Sequence, residues 1–132
     1  MILNDKQIKK LVKEEEMINP FVDKLVHNGI SHGLGTFGYD IRCGEEFKIF
    51  SNAKGAICDP KNFTEDSFIT VKGEESVLIP PNSFALAASI EYFKMPRRIT
   101  GLVTAKSTYA RTGLGTPSSV LEGGWRGNLV ME

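Results

Sequence analysis

The sequence predicts a mainly β fold with one short helix at its N-terminus, and three observations lead to this class. The 132 residues include 13 glycines and six prolines, which favour short strands and tight turns over a helix bundle. Several segments alternate apolar and polar residues, as half-buried strands do. Helical spacing of apolar residues is confined to the N-terminal segment. Strands of this length and spacing indicate a barrel or a sandwich.

The helix is expected to begin at an Asn4 or Asp5 cap, with Gln7 completing a capping box. It is expected to end at Asn19-Pro20, because the residue before a proline disfavours helical geometry. The segment from there to Thr36 is polar and rich in glycine, which predicts a loop or a pair of turns.

The rest of the chain is predicted to consist of strands separated by Gly, Pro and Asn turns. Gly44 is expected to break the first two strands apart, and a turn is expected at residues 52–55. The predicted strands are GYDIRC (38–43), EEFKIF (45–50), FITVKG (68–73), SVLIP (76–80), SFALAASIEYF (83–93), ITGLVTA (99–105) and NLVME (128–132).

Size and charge limit the classes of function. A chain of 132 residues has the length of one domain, and 41% hydrophobic residues are enough for a core. Sixteen basic and sixteen acidic residues balance to zero, which argues against broad electrostatic binding to nucleic acid. No apolar run has membrane-spanning length, and no secretion signal is recognisable. Cys43 and Cys58 are expected to be reduced, buried thiols in a cytosol-like compartment.

The most informative motif runs from Lys106 to Arg111, directly after the predicted strand ITGLVTA. It places two aliphatic hydroxyls and two cations within six residues. A strand that leads into a short helical turn presents backbone N–H groups, and hydroxyls with a cation at that point suit phosphate oxygens. The alternative is an ordinary capped turn with Lys and Arg on its surface.

A second informative segment, Val120–Glu132, contains the chain's single tryptophan directly after two glycines. Glycines let a backbone approach a ligand closely, and the flat face of Trp125 can lie against a sugar or a base. The alternative is a hairpin turn with a core Trp. Val130 and Glu132 share one face of the strand NLVME, and one reading makes Glu132 a half-buried carboxylate suited to general base catalysis. The residues alone favour the other reading, an exposed glutamate.

Together these motifs resemble the dCTP deaminase branch of the dUTPase-like superfamily. The resemblance rests on KSTYAR followed by TGL, and on an acidic residue, GW and a strand that ends in Glu. Upstream, the segments MINPF, GYDIR, EFKIF, DPKNF, PNSFALA and EYF also look like those of bacterial dCTP deaminases. The resemblance covers essentially the whole chain.

The resemblance implies a distorted β-barrel of the dUTPase-like, or β-clip, type, assembled as a homotrimer with active sites between subunits. It implies a cytoplasmic hydrolase of pyrimidine deoxynucleotide metabolism that converts dCTP to dUTP and ammonia, with dTTP as a candidate feedback ligand. Residues 1–132 are expected to form a single domain without the family's C-terminal strands and tail, and so to be truncated.

Carried over by motif, Ser107 and Thr108 would bind triphosphate oxygens with Lys106 nearby, and Arg111 would orient the reacting centre. A base must take a proton from the attacking water and deliver protons to the ring nitrogen and the departing amine. Glu132 matches this general base. The expected catalytic residues are therefore Glu132 and Arg111.

The resemblance also implies how the sugar is bound. Glu122 matches the acidic position at the 3′-hydroxyl, and Trp125 matches the aromatic residue that packs on deoxyribose, where a ribose 2′-hydroxyl would clash. The expected substrate-binding residues are Lys106, Ser107, Thr108, Tyr109, Ala110, Arg111, Glu122, Trp125, Val130 and Met131.

The expected chemistry uses no zinc. Zinc-dependent nucleobase deaminases carry an H-x-E and a P-C-x-x-C motif, and this sequence has neither H-x-E nor C-x-x-C. Magnesium is expected to arrive with the nucleotide triphosphate instead of in a protein cage. Neither nucleic acid nor a membrane is an expected partner.

Two other readings of the motifs stay open. Residues 120–127 also resemble the sugar-binding hairpin of dUTP diphosphatases, where an acidic residue at the place of Glu122 activates water, so a diphosphatase or a bifunctional enzyme that forms dUMP is an alternative. The segment Gly115–Ser119 departs from the family pattern because it is poor in apolar side chains and contains Pro117. This departure and the expected missing tail favour a second alternative, a catalytically silent nucleotide-binding or assembly module.

Overall fold

The computed structural model describes residues 1–23, 25–27, 29–51, 59–62, 65–73 and 76–132. These residues form two compact units. The first unit comprises Met1–Arg42 and Ser89–Leu129, and the second comprises Cys43–Ala88 and Val130–Glu132. Such a division does not test whether residues 1–132 fold as one domain, which stays a prediction.

Strands dominate the described residues. The helices are α1 (Asp5–Glu15) and α2 (Ser107–Ala110), with a 3₁₀ turn at Glu65–Ser67, and the strands are β1 (Ile18–Asn19), β2 (Leu25–His27), β3 (Ile30–Leu34), β4 (Tyr39–Asp40), β5 (Cys43–Phe50), β6 (Phe68–Lys72), β7 (Ala85–Lys94), β8 (Gly101–Val103), β9 (Ser119–Leu121) and β10 (Arg126–Met131). The predicted class, mainly β with a short N-terminal helix, is confirmed, and the strands are consistent with a distorted β-barrel.

Within the described ranges, the strands pair in three sheets. The largest has the order β1-β7-β5-β6, and β10 also pairs with β7. The others are β2-β3-β4 and the two-stranded sheet β8-β9. Strands β7 and β10 each contribute residues to both units.

No helix among the described residues combines the length and the apolar composition that crossing a membrane requires.

Helix α1 in the first unit confirms the predicted capping box. The Asn4 side chain accepts a hydrogen bond from the Gln7 backbone N–H at 3.0 Å, and the Gln7 side chain accepts one from the Asn4 N–H at 3.0 Å. The helix ends before the predicted Asn19-Pro20 boundary, because Glu16 adopts a left-handed conformation with φ 53°. The next residues form β1 instead, where Ile18 pairs with Phe93 of β7.

The predicted loop up to Thr36 is wrong in part, because it contains the antiparallel strands β2 and β3. Gly29 has φ 78° and supplies the left-handed conformation that a tight hairpin connection requires. The polar residues of this segment obscure the alternation of apolar side chains from which strands are predicted. An Asn-Gly pair is nevertheless the usual sequence sign of such a turn. Strand β3 also pairs with β4, with Gly33 opposite Asp40.

In the second unit β5 pairs antiparallel with β6, and both lie in segments that the sequence predicts to be strands. Three aromatic rings pack there, with Phe50 and Phe84 stacked at a centroid distance of 5.0 Å and Phe68 edge-on to both. The predicted break at Gly44 is wrong, since β5 runs through it. The predicted strand SVLIP is also wrong, because residues 77–80 lie outside any strand, and the two prolines that follow Ile79 offer no N–H group to a ladder.

Two further expectations concern turns and cysteines. The predicted turn at residues 52–55 and Cys58 lie outside the described residues. Cys43 is a free thiol, but it is exposed and not buried as expected. It is the first residue of β5 and therefore lies at one end of the strand.

Candidate functional site

The motif from Lys106 to Arg111 forms the predicted strand-to-helix turn. Lys106 is the N-cap of α2, and its carbonyl accepts hydrogen bonds from the N–H groups of Tyr109 at 3.0 Å and Ala110 at 3.1 Å. The turn closes at Thr112, whose N–H and hydroxyl both donate to the Tyr109 carbonyl. These hydrogen bonds therefore hold the residues of the motif in a short helical turn.

Most side chains of this motif are exposed. They are Ser107, Thr108, Tyr109, Ala110 and Arg111. Within the described part of the chain, no carboxylate forms an ion pair with Arg111. The hydroxyls and the guanidinium are thus accessible to a ligand, in contrast to Lys106, which is only half-exposed.

Lys106 differs from its neighbours because its ammonium group already has partners in the first unit. Its Nζ donates a hydrogen bond to Ser31 Oγ at 3.0 Å and forms an ion pair with Asp40 Oδ2. Ser31 Oγ donates to the same carboxylate oxygen at 3.0 Å. The lysine that the sequence assigned to phosphate binding is therefore held by residues of β3 and β4, which sequence analysis did not assign.

Glu122 and Trp125 lie in one tight turn between β9 and β10. The Trp125 N–H donates to the Glu122 carbonyl at 3.0 Å, and the Trp125 carbonyl accepts from the Met95 N–H at 2.9 Å. A side chain at Gly123 would place its Cβ 2.4 Å from the Arg97 carbonyl oxygen, so only glycine fits there. The alternative reading of a hairpin does not hold, because β9 pairs with β8 whereas β10 pairs with β7.

The exposure of this turn separates its two candidate residues. Glu122 is exposed, and Trp125 is half-buried. A Cβ at Gly127 would lie 2.9 Å from Cζ2 of the indole ring, which shows that the ring rests against the start of β10. Trp125 is therefore neither a fully buried core residue nor a free surface one, and part of its ring is available for contact.

Val130, Met131 and Glu132 belong to the second unit. The predicted alternation along this strand is confirmed, since Leu129 is buried and Val130 is 53% exposed. The half-buried reading of Glu132 is wrong for the single chain, and the exposed reading that the residues alone favoured is confirmed, because the face that Glu132 shares with Val130 is uncovered. Its proposed role as a base stays a prediction.

Sequence analysis missed a buried polar network in the first unit. Glu91 is fully buried, and its carboxylate accepts hydrogen bonds from the Arg42 N–H at 3.0 Å and from Arg42 Nε at 2.7 Å. Tyr39 Oη donates to Glu91 at 3.4 Å and accepts from the Val22 N–H at 3.1 Å. An acidic residue inside the apolar strand SFALAASIEYF was the available signal, because a buried carboxylate needs partners.

Burial raises the pKa of the Tyr39 hydroxyl above its usual value. The Glu91 carboxylate raises this pKa further, whereas the hydrogen bond from Val22 opposes the shift.

No group of three or more His, Cys, Asp or Glu side chains that could hold a metal ion is found among the residues that the structure describes.

Known proteins resemble this chain along almost its whole length. The sequence profile of a family described as dCTP deaminase-like matches residues 2–132. A protein of Pelagibacter ubique named dCTP deaminase is 51% identical over 132 residues, which cover 99% of this chain and 71% of that protein. Proteins of the same name are 46% identical in Azotobacter vinelandii, with 99% of this chain and 72% of the relative covered, and 49% identical in Herpetosiphon aurantiacus, with 97% and 70% covered.

Proposed function

Because the chain belongs to the dCTP deaminase-like family, we propose that it hydrolyses dCTP to dUTP and ammonia in pyrimidine deoxynucleotide metabolism. The observation that carries this proposal is the 51% identity, over 99% of the chain, to a relative named dCTP deaminase. The exposed hydroxyls and guanidinium of the Lys106–Arg111 motif support it, because they form a surface suited to an anionic ligand.

The triphosphate is proposed to bind at this motif. Ser107 and Thr108 offer hydroxyl donors, and Lys106 offers a cation whose position is set by Ser31 and Asp40. Tyr109 and Ala110 complete this part of the substrate-binding set. Magnesium is proposed to arrive as the partner of the triphosphate, since Mg²⁺ commonly binds through substrate phosphates and water.

The deoxyribose is proposed to bind at the turn that carries Glu122 and Trp125. The exposed Glu122 carboxylate can accept a hydrogen bond from the 3′-hydroxyl, and the accessible part of the indole ring can pack on the sugar. Val130 and Met131 are assigned to the same substrate as residues that precede the proposed base.

The proposed chemistry needs one base and one cation. Glu132 takes a proton from water as the water oxygen bonds to C4 of cytosine, and it passes this proton to the ring nitrogen. The hydroxyl group now on C4 then gives up its proton, which Glu132 passes to the exocyclic amine. The bond between C4 and the exocyclic nitrogen breaks, ammonia leaves, and C4 retains the oxygen as a carbonyl. Arg111 holds the water and stabilises the negative charge that develops on its oxygen during the attack.

A homotrimer with active sites between subunits is proposed, in which Glu132 meets the hydroxyl-and-guanidinium cluster of a neighbouring copy. The two-stranded sheet β8-β9 supports association with a second copy, because its paired residues Leu102 and Val120 are 73% and 54% exposed. Adjacent exposed apolar side chains of this kind commonly mark protein interfaces. The proposed location is the cytoplasm, where the deoxynucleotide pool would supply the substrate.

The test is to incubate the purified chain with magnesium and either dCTP or dUTP and to follow dUTP, dUMP, pyrophosphate and ammonia. Equal amounts of dUTP and ammonia are expected. Release of dUMP together with ammonia would identify the bifunctional alternative, and pyrophosphate from dUTP without ammonia would identify the diphosphatase. Binding of dCTP without any product would leave the silent module. Repeating the assay with added dTTP tests the proposed feedback ligand, which is expected to slow the reaction.

A further inference from the structure

Three residues from separate segments of the first unit form a polar cluster around one ammonium group. Ser31 lies on β3, Asp40 lies on β4, and Lys106 precedes α2. The ammonium group donates to Ser31 Oγ at 3.0 Å and pairs with Asp40 Oδ2, while the serine hydroxyl donates to the same Oδ2 at 3.0 Å. Each of the three polar groups thus contacts the other two. We call Ser31, Asp40 and Lys106 the ammonium cluster.

We propose that Asp40, together with Ser31, is a positioning residue that holds the Lys106 ammonium group ready for the triphosphate. The inference rests on the proposed function, since it gives Lys106 a phosphate to bind. An ammonium group has three N–H donors, and Ser31 and Asp40 are the two partners that the described part of the chain supplies. The third donor remains for a ligand oxygen.

Both ends of the Lys106 side chain are constrained. At the backbone, its carbonyl accepts the Tyr109 and Ala110 N–H groups at 3.0 and 3.1 Å. At the tip, Ser31 and Asp40 fix the nitrogen. A lysine side chain has many rotamers, and a ligand that must order them loses affinity, so ordering the side chain beforehand favours binding.

The ion pair differs from an ordinary surface pair in its exposure. The Lys106 and Asp40 side chains are 25% and 39% exposed, compared with 45% and 60% for the pair of Lys9 and Asp23. Among the lysine ion pairs of the described residues, the Lys106 pair is the least exposed. Exposed pairs compete with water and hold a side chain weakly, whereas shielding from solvent strengthens the pair.

The segment that carries Asp40 is itself anchored to the buried Glu91. Tyr39, the preceding residue, donates to the Glu91 carboxylate, and Arg42 pairs with the same carboxylate through its Nε at 2.7 Å. Asp40 is therefore fixed between two residues that contact a fully buried group. A rigid support is what a positioning residue requires.

The test compares Asp40→Asn with the wild type. The substitution keeps the shape and removes the charge that orients the ammonium group, so the Kd of Mg·dCTP and the KM are expected to rise by roughly tenfold, as for the loss of one charge-assisted contact, while kcat stays near the wild-type value. Asp23→Asn, in the exposed pair with Lys9, is the matched control and is expected to change neither constant. A lower Kd in Asp40→Asn would mean that the carboxylate only repels phosphate, which would overturn the inference.

A double-mutant cycle shows whether Asp40 acts through the lysine. In a Lys106→Gln background, Asp40→Asn is expected to cause no further rise in the Kd of dCTP, because the group that it positions is gone. An equal rise in both backgrounds would contradict the inference. Inorganic triphosphate serves as a second probe, and its Kd is expected to follow the same pattern.

A measurement without ligand separates this inference from the proposed function. NMR relaxation of the Lys106 side chain is expected to show greater mobility in Asp40→Asn and Ser31→Ala than in the wild type. If the variants show the greater mobility and Asp40→Asn the higher Kd of dCTP, but the wild type releases no ammonia, the proposed function fails and the inference stands. If ammonia is released and the mobility and KM are unchanged in both variants, the inference fails and the proposed function stands.

Discussion

Glu132 illustrates how much a single residue's role depends on its surroundings. In the single chain its carboxylate is exposed one residue after β10. A carboxylate can act as a general base only where it lies within hydrogen-bonding distance of the proton that it removes from the bound substrate or water. The proposed intersubunit site would provide such an environment.

Replacing Glu132 with Gln therefore tests catalysis apart from binding. The amide cannot accept the proton of water, so kcat for deamination is expected to fall by about 10²-fold to 10⁴-fold. The Kd of dCTP, measured by calorimetry, is expected to stay near the wild-type value. Glu16→Gln, on the exposed pair with Lys94, is the control that should keep full activity. An equal loss of binding in Glu132→Gln would assign the carboxylate a structural role.

Tyr39 links a residue's titration to the stability of the first unit. Its pKa in the folded protein is raised, chiefly by burial, above the value near 10 that an unfolded tyrosine has. A raised pKa means that the folded state holds the phenolic proton more tightly. This contribution to stability is therefore fully present below about pH 10 and is lost as the pH rises through the folded-state pKa.

The variant Tyr39→Phe is expected to be less stable than the wild type at pH 8 by about 1 kcal/mol, because it loses the hydrogen bonds to Val22 and Glu91. The difference in the free energy of unfolding is expected to become smaller above pH 10, because only the wild type has a shielded phenol whose ionisation is unfavourable in the folded state. Urea unfolding at a series of pH values measures both effects. A gap that stays constant up to pH 11 would contradict the assignment.

At the scale of the element, the turn between β9 and β10 combines backbone shape with a candidate binding surface. Gly123 allows the close approach to Arg97, and Gly127 leaves room for the indole ring of Trp125. The start of β10 thus lies against part of the ring, and the half-buried Trp125 keeps another part accessible. Discrimination against a ribose follows if that accessible part packs on the sugar.

We expect Trp125→Ala to reduce kcat/KM for dCTP and to lower the preference for dCTP over CTP by about tenfold, because the 2′-hydroxyl no longer meets the ring. Steady-state kinetics with both nucleotides measure this preference. Trp125→Phe keeps an aromatic face and is the matched variant, expected to retain most of the discrimination. Unchanged selectivity in Trp125→Ala would show that the ring is structural.

At the scale of the whole molecule, the exposed apolar pair Leu102 and Val120 predicts association between copies. Leu102→Glu would place a charge in the proposed interface, where an unpaired charge is costly. Light scattering over a range of concentrations is expected to show a particle of three chains for the wild type and dissociation for the variant. Leu78→Glu, at a leucine that is 83% exposed outside β8 and β9, is the control and should remain assembled. A monomeric wild type would remove the basis for intersubunit sites.

Local chemistry made several features predictable. The capping box of Asn4 and Gln7 depends on residues three apart, and the turn at Lys106–Arg111 depends on a strand that leads directly into a hydroxyl-rich segment. The alternation of Leu129 with Val130 follows from the two-residue period of a strand. The motifs themselves indicated the family.

The sequence by itself determined the mainly β class and the helix start, because these follow from near neighbours along the chain. The residues proposed to bind the nucleotide were assigned through the family resemblance and stay predictions. Only the tertiary structure revealed that Asp40 and Ser31 hold Lys106, that Glu91 is buried against Arg42, and that β2 and β3 pair. These contacts join residues distant in sequence or lie in segments with no apolar pattern. Spacing along the chain carries no information about which distant charge will neutralise which, since that depends on how the strands are brought together.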